Sequence, residues 1–297
     1  MFKFFANILG YVLNFIYGFV GNYGIAIIIF TILVKGIMLP ISIKQQKTMK
    51  KSAKIQVKAK EIQEKYANDQ VRQSQELMDL YKKENMSPFS GCLTSIVQIV
   101  LILAVFYLVS SPLTYMKKID YKVIETYTAE LKEERNVENI NYPEIAIIKE
   151  KGPKDEKVNL NMEFFGLDLS DVPSEKLSDW KVYVIPVLYI ITSLLSMKLT
   201  TNMNNIGVKK DDENKNVEVV SKQENKENSE EKKTDEQEDM MEEMNKQMRL
   251  MMPIMTVSIA LIAPLGLALY WLVSNLLMIF ERVVLNRFFK EGDEVDG

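Results

Sequence analysis

The chain has 297 residues, 47% of them hydrophobic and 26% charged, with 37 Lys and Arg against 40 Asp and Glu. It has no histidine and a single cysteine, Cys92, which excludes Ser-His-Asp and Cys-His nucleophilic catalysis, an H-E-x-x-H zinc site, a histidine proton shuttle and an internal disulfide. Neither G-x-x-x-x-G-K-[ST] nor G-x-G-x-x-G occurs, so nucleotide chemistry lacks its usual signature, and no enzymatic activity, metal or cofactor is expected.

The apolar residues are segregated into blocks. Residues 1–22 place Lys3, Asn7, Gly10, Asn14, Gly18 and Gly21 three or four apart with apolar residues on the other face, the pattern of an amphipathic helix lying in the membrane interface. An uninterrupted apolar core with a small-residue cleavage site, as in a secretory signal, is not seen. Residues 23–43, with Lys35 as their only charge, are long enough for a first membrane span. Residues 44–87 form a charged stretch without Gly or Pro before Pro88, and Ala67-Asn68-Asp69 divides it into a helical hairpin. Its basic residues, Lys50, Lys51, Lys54 and Lys58 among them, read either as a solvated face or as a platform for anionic lipid, ribosomal RNA or a targeting receptor.

A second span is expected over 88–116 and a third over 181–200. Between them lies the segment 117–180, in which Ile145-Ala146-Ile147-Ile148 reads as a strand. The stretch 201–248 is a polar, acidic linker; its 204–239 portion has no aromatic residue and too little apolar surface to repay the entropy of ordering. Seven methionines between Met240 and Met255 follow, suited either to varied apolar guests or to packing against neighbouring helices. The last apolar block is too long for one straight span, and Pro264 and Gly266 at its centre favour a hairpin of two short spans, 249–263 and 264–288, before a tail at 289–297. The alternative is one tilted, kinked helix. Five spans result, so the termini lie on opposite sides. Residues 43–88 carry eleven Lys and Arg against six acidic residues, whereas 117–180 carry ten against fifteen. The positive-inside rule therefore puts the N-terminus and 117–180 outside, and the hairpin, linker and C-terminus inside. The expected fold class is an all-α integral membrane protein.

Lys35 stands roughly 12 Å from the cytoplasmic end of its span. Either its stem snorkels toward the interface, or its ammonium faces a water-containing cavity in the protein. Thr31 lies one turn away on the same face, and Gln98, Tyr270, Trp271 and Asn275 offer polar contacts from other spans. No acidic partner is identified within a span, Glu281 being assigned to a boundary.

These residues carry a resemblance. YGIAIIIFTILVKGIMLPISIKQQKTMKK with KEIQEKY and QELMDLYKKENMSP, then GCLTSIVQ, FFGLDLS, MNKQMRLMMPIM and PLGLALYWLVSN resemble the YidC/Oxa/Alb membrane protein insertases, in particular the short Gram-positive bacterial type. The resemblance implies a five-span core around a hydrophilic groove open to the cytoplasm and to lipid, a cytoplasmic helical hairpin, and a multi-pass protein of the bacterial cell membrane. It implies an insertase and folding chaperone acting alone or with the Sec translocon on nascent membrane proteins delivered by the ribosome or a targeting receptor, with no role for DNA. Lys35, Thr31, Gln98, Tyr270, Trp271 and Asn275 become the expected groove residues. Lys35 stands where the family usually has arginine, and Ser196-Met197 where the third span often has glutamine. A translocon-associated assembly factor without insertase activity shares nearly all these features. A small transporter would show internal symmetry, which this sequence lacks, and an intramembrane protease would need paired aspartates or a Ser/His set within spans.

Overall fold

A computed structural model describes residues 2–67, 69–84, 90–212, 255 and 257–295, with the backbone alone at 49–50, 53–54, 56, 90–98, 200–212 and 286–295. The helices are α1 (Phe2–Val20), α2 (Tyr23–Lys65), α3 (Gln70–Lys83), α4 (Ser90–Ser110), α5 (Pro112–Tyr115), α6 (Tyr121–Arg135), α7 (Pro143–Glu150), α8 (Val184–Asp212) and α9 (Leu265–Val295). Residues 257–262 are also helical, and a break at 263–264 separates them from α9. The only strands among the described residues are β1 (Glu163–Phe164) and β2 (Leu167–Asp168), paired antiparallel. Among the described residues, four stretches are long and apolar enough to cross a membrane: Phe2–Val20, Tyr23–Thr48, Trp180–Leu199 and Leu265–Leu285. α4 contributes a shorter apolar run, Ile99–Ser110. The protein is an all-α membrane protein, and its exposed apolar side chains fit that solvent: Ile25, Ile29, Ile32 and Ile37 on α2, Val187, Ile191 and Leu195 on α8, Leu276 and Phe280 on α9.

The chain divides into two compact units, one of Met1–Pro40, Ser95–Ser196 and Thr256–Gly297, the other of Ile41–Thr94 and Met197–Met255. In the second unit, α2 beyond Pro40 and α3 form the expected hairpin. Asp69 caps α3, its side chain accepting from the Arg72 amide at 3.0 Å. The two helices run antiparallel, with Gln73 Nε2 donating to the Gln63 carbonyl at 3.3 Å and the side chains of Lys51 and Lys58 both reaching Glu84.

In the first unit, the segment 161–171 works as a strap. Helix starts leave backbone amides without partners inside the helix, and at the edge of a bilayer those amides need an acceptor. At the start of α2, Asn22 Oδ1 accepts from the Ile25 amide at 3.0 Å, and the Tyr23 amide donates to the Asn161 carbonyl at 2.9 Å. At the start of α9, the Leu265 and Gly266 amides donate to the carbonyls of Asp171 and Leu169, both at 2.9 Å. Asn22 Nδ2 donates to the Glu163 carbonyl at 2.6 Å. Gly24 is required here, because a Cβ would lie 2.4 Å from the Phe164 ring. The strap's lower end is fixed by Asp171, a buried carboxylate paired with Lys149 at 2.5 Å and Lys176 at 2.7 Å.

Residues 145–148 are helical, not extended: Pro143 opens α7 and residues 144–148 are all buried, so the run shows no amphipathic period, and periodicity does not distinguish a short buried helix from a buried strand. α7 carries Glu144, whose buried carboxylate accepts from the Thr114 amide at 2.9 Å and the Thr114 hydroxyl at 2.6 Å, supplying the start of α5 with an acceptor. α1 packs on the same place through Gly10, where a Cβ would lie 1.9 Å from the Tyr115 carbonyl oxygen. At the other boundary α8 runs on to Asp212, so the first residues assigned to the linker are helical, as expected when a span propagates an already nucleated helix. The remainder of the 201–248 linker, the methionine cluster apart from Met255, and residues 249–254 and 256 of the 249–263 block lie outside the described residues.

Two outcomes follow for stability. Gly10→Ala should destabilise the protein by about 1–3 kcal/mol, the usual cost of forcing extra volume into a packed contact, whereas Gly18→Ala, with nothing within 4 Å of its added carbon, should be neutral or slightly stabilising because Ala is the better helix former. Thermal unfolding of both variants in the same detergent is the check. For Glu144, burial lifts the carboxyl above its ordinary value even though Thr114 and Leu113 donate to it. The folded state therefore holds this proton more tightly than the unfolded state, and the stabilisation present at low pH is lost as pH rises through the raised value. Across that range the Tm of the parent should fall relative to that of Glu144→Gln, which has no proton to lose.

Candidate functional site

Helices α2, α4, α8 and α9 of the first unit surround a cavity of about 270 Å³. α2 supplies Thr31, Val34 and Lys35, positions spaced to share one helix face. α9 supplies Tyr270, Trp271, Ser274, Asn275 and Met278, again one face, and α4 and α8 complete the lining with Leu101, Ile102 and Tyr189. The strap sets this meeting of faces, since its main-chain bonds fix the start of α2 and the start of α9 against one another, two turns above the cavity.

The lining is mostly aromatic and aliphatic. Thr31 is buried, and its hydroxyl donates to the Ile27 carbonyl at 2.6 Å, so it adds little free hydrogen-bonding capacity. Tyr270 is buried, while Trp271 is half-buried and its ring meets that of Tyr189 at 5.6 Å between centroids, tilted by 33°. Lys35 is half-buried among them. Its ammonium lies within electrostatic reach of both Glu281 and Arg282. Arg282 Nη1 donates to the Ser196 carbonyl of α8 at 3.2 Å. Glu281, which the sequence expectation assigns to the span boundary, falls within the Leu265–Leu285 apolar stretch, and α9 continues as one helix through it to Val295.

Five of the six expected groove residues, Lys35, Thr31, Tyr270, Trp271 and Asn275, line this one cavity. The sixth, Gln98, lies one turn before Leu101 and Ile102 in α4, and its side chain is outside the described residues. Sequence reasoning missed Tyr189, Ser274 and Met278. The last two were recoverable, because they continue the three-and-four spacing of 270, 271 and 275 along α9; Tyr189 carried no such signal, being one tyrosine in an otherwise unremarked span.

On the hairpin, Lys51 Nζ donates to the Glu84 carbonyl at 2.5 Å and Lys58 Nζ to Glu84 Oε1 at 2.8 Å. Hydrogen bonding and charge from Lys58 hold the Glu84 carboxyl below its ordinary value. Two of the four expected contact lysines thus close the hairpin itself; the side chains of Lys50 and Lys54 lie outside the described residues. Among the described residues no cluster of three or more His, Cys, Asp or Glu could hold a metal ion.

Comparison with known proteins gives a family match over residues 15–292, to the family described as 60Kd inner membrane protein. Similar curated proteins include the membrane protein insertase YidC of Syntrophus aciditrophicus, 52% identical over 29% of this chain and 16% of its own length. The protein of the same name from Wigglesworthia glossinidia brevipalpis is 45% identical over 33% of this chain and 18% of its own, and that of Fusobacterium nucleatum 43% identical over 33% and 48%. The aligned part of the chain therefore spans less than half the length of each of these relatives.

Proposed function

The chain belongs to the 60Kd inner membrane protein family, the YidC/Oxa/Alb group that its motifs resemble, and from this premise we propose that it is a membrane protein insertase whose guest-binding site is the Lys35 cavity. The observation that carries the reading is the convergence of Lys35, Thr31, Tyr270, Trp271 and Asn275 on one cavity between apolar, membrane-crossing helices. Insertion breaks no covalent bond, so the site needs attraction, a partly hydrated path and an exit to lipid. A short hydrophilic tail enters at Lys35, whose charge attracts acidic groups strongly where the surroundings are partly desolvated. Glu281 tempers that attraction, so the tail is held without being trapped. The adjoining apolar segment slides along α8 and α9 into lipid, driven by roughly 25 cal/mol for each Å² of apolar surface buried.

In this reading the N-terminus and the 117–180 segment face outside, α1 lies in the outer interface, and the hairpin faces the cytoplasm. The α1 surface supports the interfacial placement: Phe4, Ile8, Tyr11, Phe15 and Phe19 are exposed on one side, and Lys3, Asn7 and Asn14 form a separate polar strip. Nascent membrane proteins are the guests, with the Sec translocon, a ribosome or targeting receptor, and anionic lipid as partners.

Insertion of a one- or two-span client into liposomes containing the purified protein and no translocon tests the proposal. No insertion there, with activity only beside the translocon, would make the protein an assembly factor. Lys35→Arg should retain activity. Lys35→Ala should fold, since Glu281 keeps Arg282 nearby, and should lower insertion most for a client with an acidic translocated tail. Equal insertion of acidic-tail and neutral-tail clients by Lys35→Ala and the parent, at equal protein levels, would remove the groove charge from the mechanism. For the hairpin, Lys50→Gln with Lys54→Gln should weaken ribosome or receptor association in a salt-sensitive way. Lys51→Gln with Lys58→Gln should chiefly increase protease sensitivity at the C-terminal end of α3, because their partner is Glu84 there; the reverse pattern of binding losses would refute this division.

A further inference from the structure

The turn joining β1 to β2 consists of Phe165 and Gly166, with φ of 50° and 76°. A two-residue turn with both φ positive favours Asn-Gly or Gly-Gly, because the left-handed region crowds the Cβ of other residues. Gly166 fits that requirement and Phe165 does not. Nor does packing account for the phenylalanine, whose side chain is 91% exposed and meets Phe164 edge-on at 4.7 Å between centroids. An exposed aromatic held in an unfavourable backbone conformation points to a use for its ring outside the folded chain.

The position of the turn identifies the medium. The Tyr23 amide bonds to Asn161, Asn22 to Glu163, and the Phe164 ring covers Gly24. Beyond β2, Leu169 and Asp171 accept from Gly266 and Leu265. Tyr23 and Leu265 are the first residues of the Tyr23–Thr48 and Leu265–Leu285 spans. The turn is therefore held level with the first turn of two membrane helices, at the boundary of headgroups and acyl chains where aromatic side chains are favoured. Trp180, 71% exposed, opens the Trp180–Leu199 span at the same end. The flanking side chains Glu163 and Asp168 are acidic, so headgroup attraction does not provide the contact; the apolar ring does.

We infer that the Phe165 tip is a bilayer anchor, inserting into the leaflet at the Tyr23 end of the spans and holding the 161–171 strap at membrane level. The inference concerns membrane contact and stands apart from the insertase reading, so either can fail alone.

The test uses the full chain in phosphatidylcholine–phosphatidylglycerol liposomes, with Cys92→Ser and Phe165→Cys carrying a nitroxide label. Its relaxation by oxygen, which concentrates in acyl chains, is compared with that by a water-soluble nickel chelate. Labels at Ile29→Cys, on the exposed apolar face of α2, and at Asn159→Cys, exposed before the strap, set the lipid and water references. The oxygen-to-nickel ratio at 165 should exceed that at 159 at least severalfold, and should persist at high salt and in phosphatidylcholine alone. A ratio equal to that at 159 would overturn the anchor and leave a protein partner as the reading of the exposed ring. Should the cysteine variant fail to assemble, Phe165→Trp gives the same decision, since lipids brominated on the acyl chains should quench its added fluorescence; unquenched emission would overturn the anchor.

Discussion

The arrangement of this protein depends on satisfying the backbone amides of two helix starts at the edge of a membrane. α2 and α9 begin there, and at each start main-chain carbonyls of the single segment 161–171 accept, from the Tyr23 amide on α2 and from the Leu265 and Gly266 amides on α9. Water is scarce at that depth, and an unsatisfied amide costs several kcal/mol. The strap is thus a requirement of the helices as much as a connection between them. Because it serves both, it fixes the vertical register of α2 against α9, and that register decides that Thr31 and Lys35 stand opposite Tyr270, Trp271 and Asn275. The chemistry of the cavity is a consequence of hydrogen bonds made two helical turns away.

Within the cavity, polarity is arranged unevenly. The Thr31 hydroxyl is consumed by its own helix, and the tyrosine, tryptophan and aliphatic side chains offer surface more than hydrogen bonds. Charge remains the dominant polar feature, concentrated in Lys35, with Glu281 and Arg282 within its electrostatic reach. On the proposed insertase reading, a wall of this kind discriminates poorly between guest sequences and well between guest charges, because apolar contact is non-directional while Coulombic attraction in a poorly solvated space has a sign.

The apolar helices starting at Tyr23, Trp180 and Leu265 were legible because membrane residues are sorted by solvent: uncharged blocks announce themselves without any knowledge of their neighbours. The residues lining the cavity were legible partly for the same reason, since a lysine amid isoleucines costs too much to be incidental, and partly through motif resemblance. What stayed hidden was relational. The place of Glu281 within the last membrane helix depends on α9 continuing past the apolar block, which a count of uncharged residues does not reveal. Tyr189 joins the cavity only because α8 packs where it does. The helix at 143–150 was misread because a short, wholly buried run looks the same in either secondary structure. FFGLDLS within the strap carried part of the resemblance, but the strap's role stayed hidden, as main-chain hydrogen bonds leave almost no trace in side-chain identity.

The contact at Gly10 has a bearing on how this molecule behaves once lipid is removed. With the α1 backbone set against the Tyr115 carbonyl, and Lys118 donating to Asn7 at 2.6 Å, the helix is keyed and has no freedom to roll about its axis. The ring-bearing side of α1, with Phe4, Phe15 and Phe19 at 65%, 67% and 77% exposure, therefore has no route by which to turn inward and hide. In an aqueous buffer that side stays presented, and molecules will adhere through it sooner than rearrange. A detergent or nanodisc belt that covers α1, in addition to the long spans, is what keeps the protein monodisperse outside the cell.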